Sequence, residues 1–284
     1  MPQLSLSPLI YVPKGKALEY SPLALNLYSG CIHGCLYCFA PTILRKSPAQ
    51  FKGGAHPKKD LLARIERQCK KMQGDPRQVL LCFACDPYQP EGDNIPIRFY
   101  KNKTDPTKMG RILIDPIRRK SITGVPSVTR EALLILEHYR MNATILTKGG
   151  TRACRDFDIL QRNNWSFGTS INHFFDYGMA EFEPEPCANP LDRIEAILTA
   201  KDMGIKTWVS LEPVIYPESA LAIVQRLIDV VDHWKIGTLN YMPEVSNRVN
   251  WRNFLKDIEK ILKNRDYYIK QSLEKYRHND LDRG

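Results

Sequence analysis

The chain is 284 residues long, 43% apolar and formally +10 in charge, enough for one large domain or two small ones with an ordinary core. It contains no run of about eighteen apolar residues, which argues against a membrane span. Its start, MPQLSLSPLIYVPKGK, lacks the basic and then apolar pattern of a secretory leader, so a cytoplasmic protein is expected, and its eight cysteines then argue against a disulfide framework.

In chain order, LALNLY (23–28) is a short apolar run that stops at a Gly-Cys loop and reads as a strand. Residues 60–72 place Leu61, Leu62, Ile65, Cys69 and Met72 at helical spacing. QVLLCFA (78–84) reads as a buried strand, 127–140 as a helix capped by Ser127, and ATILT (143–147) as a strand ended by Lys148-Gly149-Gly150. A helix over 155–163 and a strand over 165–171 follow. The helix over 189–204 has Asn189 as its cap, Pro190 in its first turn and Gly204 at its stop. A strand over 206–214, a helix over 217–231, a strand over 233–241 and a helix over 251–264 complete the series.

Strands that alternate with helices imply parallel pairing and right-handed crossovers. The expected fold class is α/β, with six units that either curl into a partial barrel or open into a doubly wound sheet. In both cases chemistry collects at the C-terminal ends of the strands. The conspicuous residues fall there: the cysteine loop after the first strand, Cys82 to Glu91 after the second, Lys148 after the third, Ser170 on the fourth, Glu212 on the fifth, and Asn240-Tyr241 after the sixth. Residues 92–126 break the rhythm and read as a long basic insertion, a lid or a substrate-binding excursion. The domain reading is an N-terminal extension (1–20), the strand–helix domain (21–245, with the 92–126 insertion) and a C-terminal helical segment (246–284).

Basic residues concentrate in 43–72 and 98–120, whereas 176–195 is acidic. Positive stretches of this kind suit a polyanionic partner, nucleic acid above all; solvated helix faces and a basic loop produce the same pattern.

The loop SGCIHGCLYCFAP (29–41) carries Cys31, Cys35 and Cys38. Three thiolates are one short of a closed structural metal site. They suit a cubane iron–sulfur cluster that keeps one iron open, with Gly30 and Gly34 letting the backbone turn closely and Tyr37 and Phe39 shielding the cluster from water. His33, in the same loop, offers the alternative of a Cys3His zinc site. The isolated Cys69, Cys154 and Cys187 read as small buried hydrophobes.

This CxxxCxxC, with an aromatic before its last cysteine, resembles the signature of the radical S-adenosylmethionine (SAM) superfamily. The chain resembles its spore photoproduct lyase-related group through DPYQPE (86–91), TRE (129–131), ILTKG (145–149), RDFDIL (155–160) and EPEP (183–186) before RIEAI (193–197). The resemblance implies a partial (β/α)6 TIM-like barrel holding a [4Fe-4S] cluster on Cys31, Cys35 and Cys38. It further implies reductive cleavage of SAM to a 5′-deoxyadenosyl radical and a reducing partner of flavodoxin or ferredoxin type. By the same resemblance Lys148 contacts the methionine carboxylate, Ser170 the carboxylate or ribose, the backbone from Ala84 to Asp86 the amino group, and Phe39 the adenine or the cluster. Glu212 is a buried partner for cofactor or substrate. The family's Gly-Gly-Glu is missing at 84–86. Cys82 or Cys85 would return a hydrogen atom to a product radical, with Tyr37 as a relay. By analogy with thymine-dimer repair the substrate is a nucleic acid; radical modification of RNA, a peptide or a small metabolite is the alternative. From other classes come a zinc-stabilised nucleic-acid-binding module and a simple electron carrier with four protein ligands on its cluster.

Overall fold

The structure, a computed structural model, describes residues 7–90, 127–173 and 181–277; the 92–126 insertion lies outside these. Its centre is an eight-stranded sheet in sequential order, β1 to β8. The strands are β1 (Ile10–Tyr11), β2 (Leu23–Leu25), β3 (Gln78–Leu81), β4 (Asn142–Thr147), β5 (Ser166–Ser170), β6 (Lys206–Val214), β7 (His233–Thr238) and β8 (Asp266–Ile269). β1 pairs antiparallel with β2, and every later pairing is parallel. A doubly wound sheet reverses its strand order at a switch point; this one does not reverse, so that alternative is not adopted.

The six strands read from the sequence all appear, and β1 and β8 are additional. The C-terminal segment, read as helical, therefore also carries a strand that extends the sheet. At the other edge Gln68 takes the place of a ninth strand. Its Oε1 accepts from Leu9 N (2.7 Å) and Ile10 N (3.1 Å), and its Nε2 donates to Ile10 O (3.1 Å). The backbone edge of β1 is thereby satisfied by one side chain, a local answer to an open edge.

The helices lie where the apolar spacing puts them: Leu61–Lys71, Val128–His138, Pro190–Asp202, Pro217–Leu227 and Trp251–Leu262. Ser127 Oγ accepts from Arg130 N at 3.1 Å and Asn189 Oδ1 from Asp192 N at 2.8 Å, so both proposed caps are made. The 155–163 segment differs. A 3₁₀ stretch, Gly150–Asp156, leads into a short helix, Phe157–Arg162.

Alternation along the strands divides the interior in two. Val79, Leu81, Ala143, Ile145, Phe167, Val209, Leu211, Trp234 and Ile236 face the helices and form the main core. The opposite face carries Leu80, Thr144, Leu146, Gly168, Trp208, Ser210, Glu212 and Lys235, and mixes polar groups with a second, smaller apolar cluster in which Leu80 and Trp208 pack with Tyr20. Trp208 lies flat over Gly168, where a Cβ would stand 2.2 Å from its ring. Its Nε1 donates to Thr144 Oγ1 at 3.0 Å. The residues just before β2 cross this inner face. Tyr20 OH meets Ser210 Oγ at 3.0 Å, Lys235 Nζ donates to Tyr20 O at 2.8 Å, and Tyr268 OH donates to Glu19 Oε1 at 3.1 Å. Contacts from one short segment to β6, β7 and β8 require the sheet to curve, which leaves a concavity at the C-terminal ends of the parallel strands.

Candidate active site

The cysteine loop is fixed from both sides. Gly30 is obligatory: a Cβ there would lie 2.0 Å from Gly54 O and 2.7 Å from Phe51 O. Gly34 turns the chain at φ +69°. Lys46 Nζ donates to Ser29 O, and Lys52 Nζ donates to Gly34 O at 2.8 Å. Below the loop, the buried Asp86 carboxylate accepts from Tyr88 N (2.8 Å), Thr147 Oγ1 (2.7 Å) and Lys148 N (2.6 Å), and faces His33 Nδ1 at 3.4 Å. His33 Nε2 in turn lies 3.1 Å from Arg152 Nη2. The network assigns the proton to Nδ1, with Nε2 accepting. Asp86 thus ties the loop to the ends of β3 and β4. Burial opposes its charge, but His33 and these donors outweigh burial and hold its carboxyl well below the usual carboxylate range.

Cys31, Cys35 and Cys38 open into one cavity of about 440 Å³. Tyr37, Phe39, Ala84, Cys85, Asp86, Lys148, Ser170 and Glu212 line the same cavity. Of the residues singled out in the sequence, Cys82 is apart. It is buried in the main core and does not line the cavity. The extended backbone ends at Leu81, so the alternation that turns Leu80 inward is not continued. Cys82 sits behind Cys85 and donates a hydrogen bond to it; burial and this donation keep the Cys82 thiol well above its ordinary range.

Two further corrections concern the loop's neighbours. Both ring nitrogens of His33 are engaged, so it is not presented as a metal ligand. Cys187, read as a plain buried hydrophobe, is buried, but its sulfur lies 3.8 Å from Cys35 Sγ and 3.3 Å from His33 O, so its single S–H can serve one acceptor or the other. The Cys187 hydrogen bond, followed by Lys148, His33 and Arg193, lowers Cys35 to about 5 against the opposing effect of burial. A thiol held as thiolate beside cationic groups is the form that binds metal.

Four side chains that the sequence reading passes over support the cavity wall from behind. Gln89, fully buried, donates to Cys31 Sγ (3.3 Å) and Asp86 O (2.9 Å) and accepts from Ile32 N (3.1 Å). Asn172 donates to Tyr37 OH (2.6 Å) and Glu183 Oε1 (2.9 Å), and Glu183 pairs with Arg193 at 2.6 Å. Burial pushes Glu183 up to about 7 despite that pair. Gln89, Glu183 and Arg193 all fall inside the segments that carry the family resemblance, which was the available signal.

The cavity is also lined by Lys14–Ala17, Tyr20, Glu212, Asn240, Tyr241 and Lys270, and by Leu239, which packs with Cys35 and Tyr37. Glu212 Oε2 accepts from Tyr20 OH and Lys270 Nζ, and Asn240 Nδ2 reaches Oε1 at 3.4 Å. The Lys270 ammonium also lies 4.1 Å from the centroid of the Tyr20 ring. No local sequence pattern joins residues so far apart in the chain.

Among the described residues no three His, Cys, Asp or Glu side chains are grouped to hold a metal ion directly. A single zinc would need its sulfurs about 2.3 Å from the ion. Burial pushes the Cys31 and Cys38 thiols up while Cys35 is lowered; all three open into one cavity of about 440 Å³, which leaves room for a larger cluster held by sulfur.

Comparison with protein-family models finds no match, and neither does comparison with curated protein sequences. Comparison with solved structures does. The Streptococcus suis SuiB structure bound to S-adenosylmethionine superposes with a TM-score of 0.54 at 14% identity, over 87% of this chain and 49% of SuiB. Spore photoproduct lyase complexed with dinucleoside spore photoproduct gives 0.52 at 15%, over 93% of this chain and 65% of the lyase. Methylornithine synthase (PylB) gives 0.50 at 11%, over 87% and 63%. The chain therefore spans about half the length of SuiB and under two thirds of the other two. These neighbours are radical SAM enzymes, and this chain shares their fold.

Proposed function

We propose that the protein is a radical SAM enzyme built on a partial (β/α)6 barrel, spanning 21–245, of the spore photoproduct lyase-related group. The observation that carries this reading is the convergence of Cys31, Cys35 and Cys38 on one cavity with Lys148, Ser170 and Glu212. The three thiolates would hold a [4Fe-4S] cluster with one open iron. When bound, the cluster and SAM supply a one-electron cleavage of the sulfonium that yields a 5′-deoxyadenosyl radical.

The chain's own residues position and protect. Gln89, donating to Cys31, and Cys187, beside Cys35, stabilise the sulfurs. Asp86 has its carboxylate acceptor sites filled by protein donors, so that carboxylate organises the Lys148 backbone and His33; contact with the cofactor falls to the backbone from Ala84 to Asp86, the Lys148 ammonium, Ser170 and Phe39. Tyr37, held by Asn172, and Phe39 exclude water from the cysteine side. Of the cysteine pair, Cys85 meets the cavity and is the sulfur placed to return a hydrogen atom to a product radical; the thiyl radical this leaves on Cys85 would regain its S–H bond with one electron from the reducing partner and one proton.

The substrate in this reading is a nucleic acid or a nucleotide derived from one. The reducing partner is a small acidic protein of flavodoxin or ferredoxin type. Residues 21–59, which hold the cysteine loop, carry five Lys or Arg and no Asp or Glu. They also expose Leu36 and Leu44, a surface suited to an acidic partner.

Anaerobic reconstitution with iron and sulfide, followed by dithionite reduction and assay for 5′-deoxyadenosine, tests the reading. A brown protein holding about four irons that cleaves SAM supports it. A colourless protein with one zinc, or a cluster whose spectrum ignores SAM, refutes it.

A further inference from the structure

The stretches DPYQPE (86–91), TRE (129–131) and RDFDIL (155–160) contribute only Asp86 to the cavity wall. They meet one another instead, in a buried network. Tyr88 OH donates to Asp156 Oδ2 at 3.0 Å, and Arg130 Nη1 donates to Asp156 Oδ1 and to Arg155 O, each at 3.1 Å. Thr129 Oγ1 donates to Pro87 O. Gly149 closes on the same turn, where a Cβ would stand 2.8 Å from Tyr88 Cβ. Tyr88, Thr129 and Asp156 are fully buried. Polar networks of this kind rigidify the segment they hold.

The side chain so held is Gln89. Its amide is saturated. The Nε2 hydrogens go to Asp86 O (2.9 Å) and Cys31 Sγ (3.3 Å), and Oε1 accepts from Ile32 N (3.1 Å). Gln89 has no exposed surface, so bulk water does not compete for the sulfur. Cys31 otherwise stands where negative charge is disfavoured. Burial and the nearby Asp86 carboxylate both push its thiol up, and the Gln89 hydrogen bond opposes them.

A sulfur that ligates an iron–sulfur cluster shares the negative charge added on reduction. An N–H aimed at that sulfur therefore favours the reduced form and raises the potential. Hydrogen bonds to charged partners are about twice as strong as neutral ones, and a neutral one contributes a net amount near the low end of the usual range. One such bond then favours the reduced form by about fivefold.

We propose that Gln89 is a positioning residue that sets the reduction potential of the cluster through its hydrogen bond to Cys31, held in place for that task by the Tyr88–Asp156–Arg130 network. The proposal rests on the radical SAM reading for the cluster itself. A role confined to shaping the loop would be met by the bonds to Ile32 N and Asp86 O, and would leave the potential alone.

The test is a redox titration of the anaerobically reconstituted protein, followed by the EPR signal of the reduced cluster. Gln89→Met keeps the length of the side chain and removes both donors. Its ratio of reduced to oxidised cluster at a fixed potential should fall about fivefold, a midpoint lower by about 40 mV at 59 mV per tenfold. Gln89→Glu, which also adds a negative charge, should lower it further. Tyr88→Phe touches no sulfur and should lower it by less, with iron content unchanged. A second measurement needs no variant. Wild type made by cell-free synthesis, with glutamine carrying ¹⁵N in its side-chain amide, should show a ¹⁵N coupling to the reduced cluster in pulsed EPR. A Gln89→Met midpoint that is unmoved or higher overturns the proposal, as does a wild type without the coupling. If the Gln89 variants take up no cluster, the wild-type coupling decides. An unmoved Tyr88→Phe midpoint overturns the role given to the network. All of these leave the radical SAM reading standing; a wild type that takes up no cluster overturns that reading itself.

Discussion

Asp86→Asn should be costly, and the structure says by how much. The carboxylate accepts on Oδ1 from Tyr88 N and Thr147 Oγ1, and on Oδ2 from Lys148 N and His33 Nδ1. An amide keeps one oxygen and turns an NH2 toward the other pair of donors. With Oδ1 retained, the buried contacts to Lys148 N and His33 are lost. A hydrogen bond to a charged group contributes about 1.5–3 kcal/mol, and Lys148 N and His33 Nδ1 are two such donors. A loss of about 3–6 kcal/mol is therefore expected, a large share of a stability of about 5–15 kcal/mol. The pH dependence carries a sign. A carboxyl held below its ordinary value in the folded state adds stability that is fully present above the unfolded pKa, about 3.9, and is lost as pH falls through the depressed folded value. Urea unfolding of the cluster-free proteins should show the full deficit at pH 7 and a shrinking one below about pH 4. A deficit under about 0.5 kcal/mol at pH 7, the range of an ordinary surface substitution, would refute the saturated-acceptor argument.

Single Cys→Ser variants at Cys31, Cys35 and Cys38 should each abolish the brown chromophore and reduce bound iron to background after reconstitution. Cys187→Ala should keep its iron, because it touches a ligand without being one; iron analysis separates the two outcomes. Gly168→Ala must push a Cβ into the Trp208 ring, which is locked by Thr144, so a loss at the upper end of about 1–3 kcal/mol is expected from urea midpoints. Arg193→Met strands the Glu183 carboxylate, buried and pushed up to about 7. The cost should be about 3–5 kcal/mol, read in the same way. Cys85→Ala should retain SAM cleavage while blocking hydrogen return, detected as a changed product, whereas Cys82→Ala should act mainly on folding stability.

The fold was legible because its signals are local. Strand runs, helical spacing at Leu61, Ile65 and Cys69, and the caps at Ser127 and Asn189 each lie within one turn or one strand. β1 and β8 escaped because two to four residues are too few for a period to stand out, and β8 has no fully buried residue, one face being exposed and the other partly so. The cysteine loop stood out through its spacing. Its supports did not: Gln89 and Arg193 act at 58 and 10 residues' separation from Cys31 and Glu183 respectively, and a buried polar residue in a matched segment has no pattern of its own. Asp86 was visible, but its occupancy was not, since that depends on where the ends of β3 and β4 meet. Tyr20, Glu212 and Lys270 come from the two ends of the chain, and only the curvature of the sheet brings them together.

The division of the sheet into an oily outer layer and a mixed lining also has a consequence for how this protein can change. Most of its cohesion comes from side chains pressed against the helices, and the inner face adds the Tyr20–Leu80–Trp208 cluster with its lock on Gly168. Exposed residues at the rim such as Lys14, Lys16 or Tyr241 can then be exchanged for others of similar size at little thermodynamic penalty. Substrate preference on this scaffold can drift while its architecture stays put.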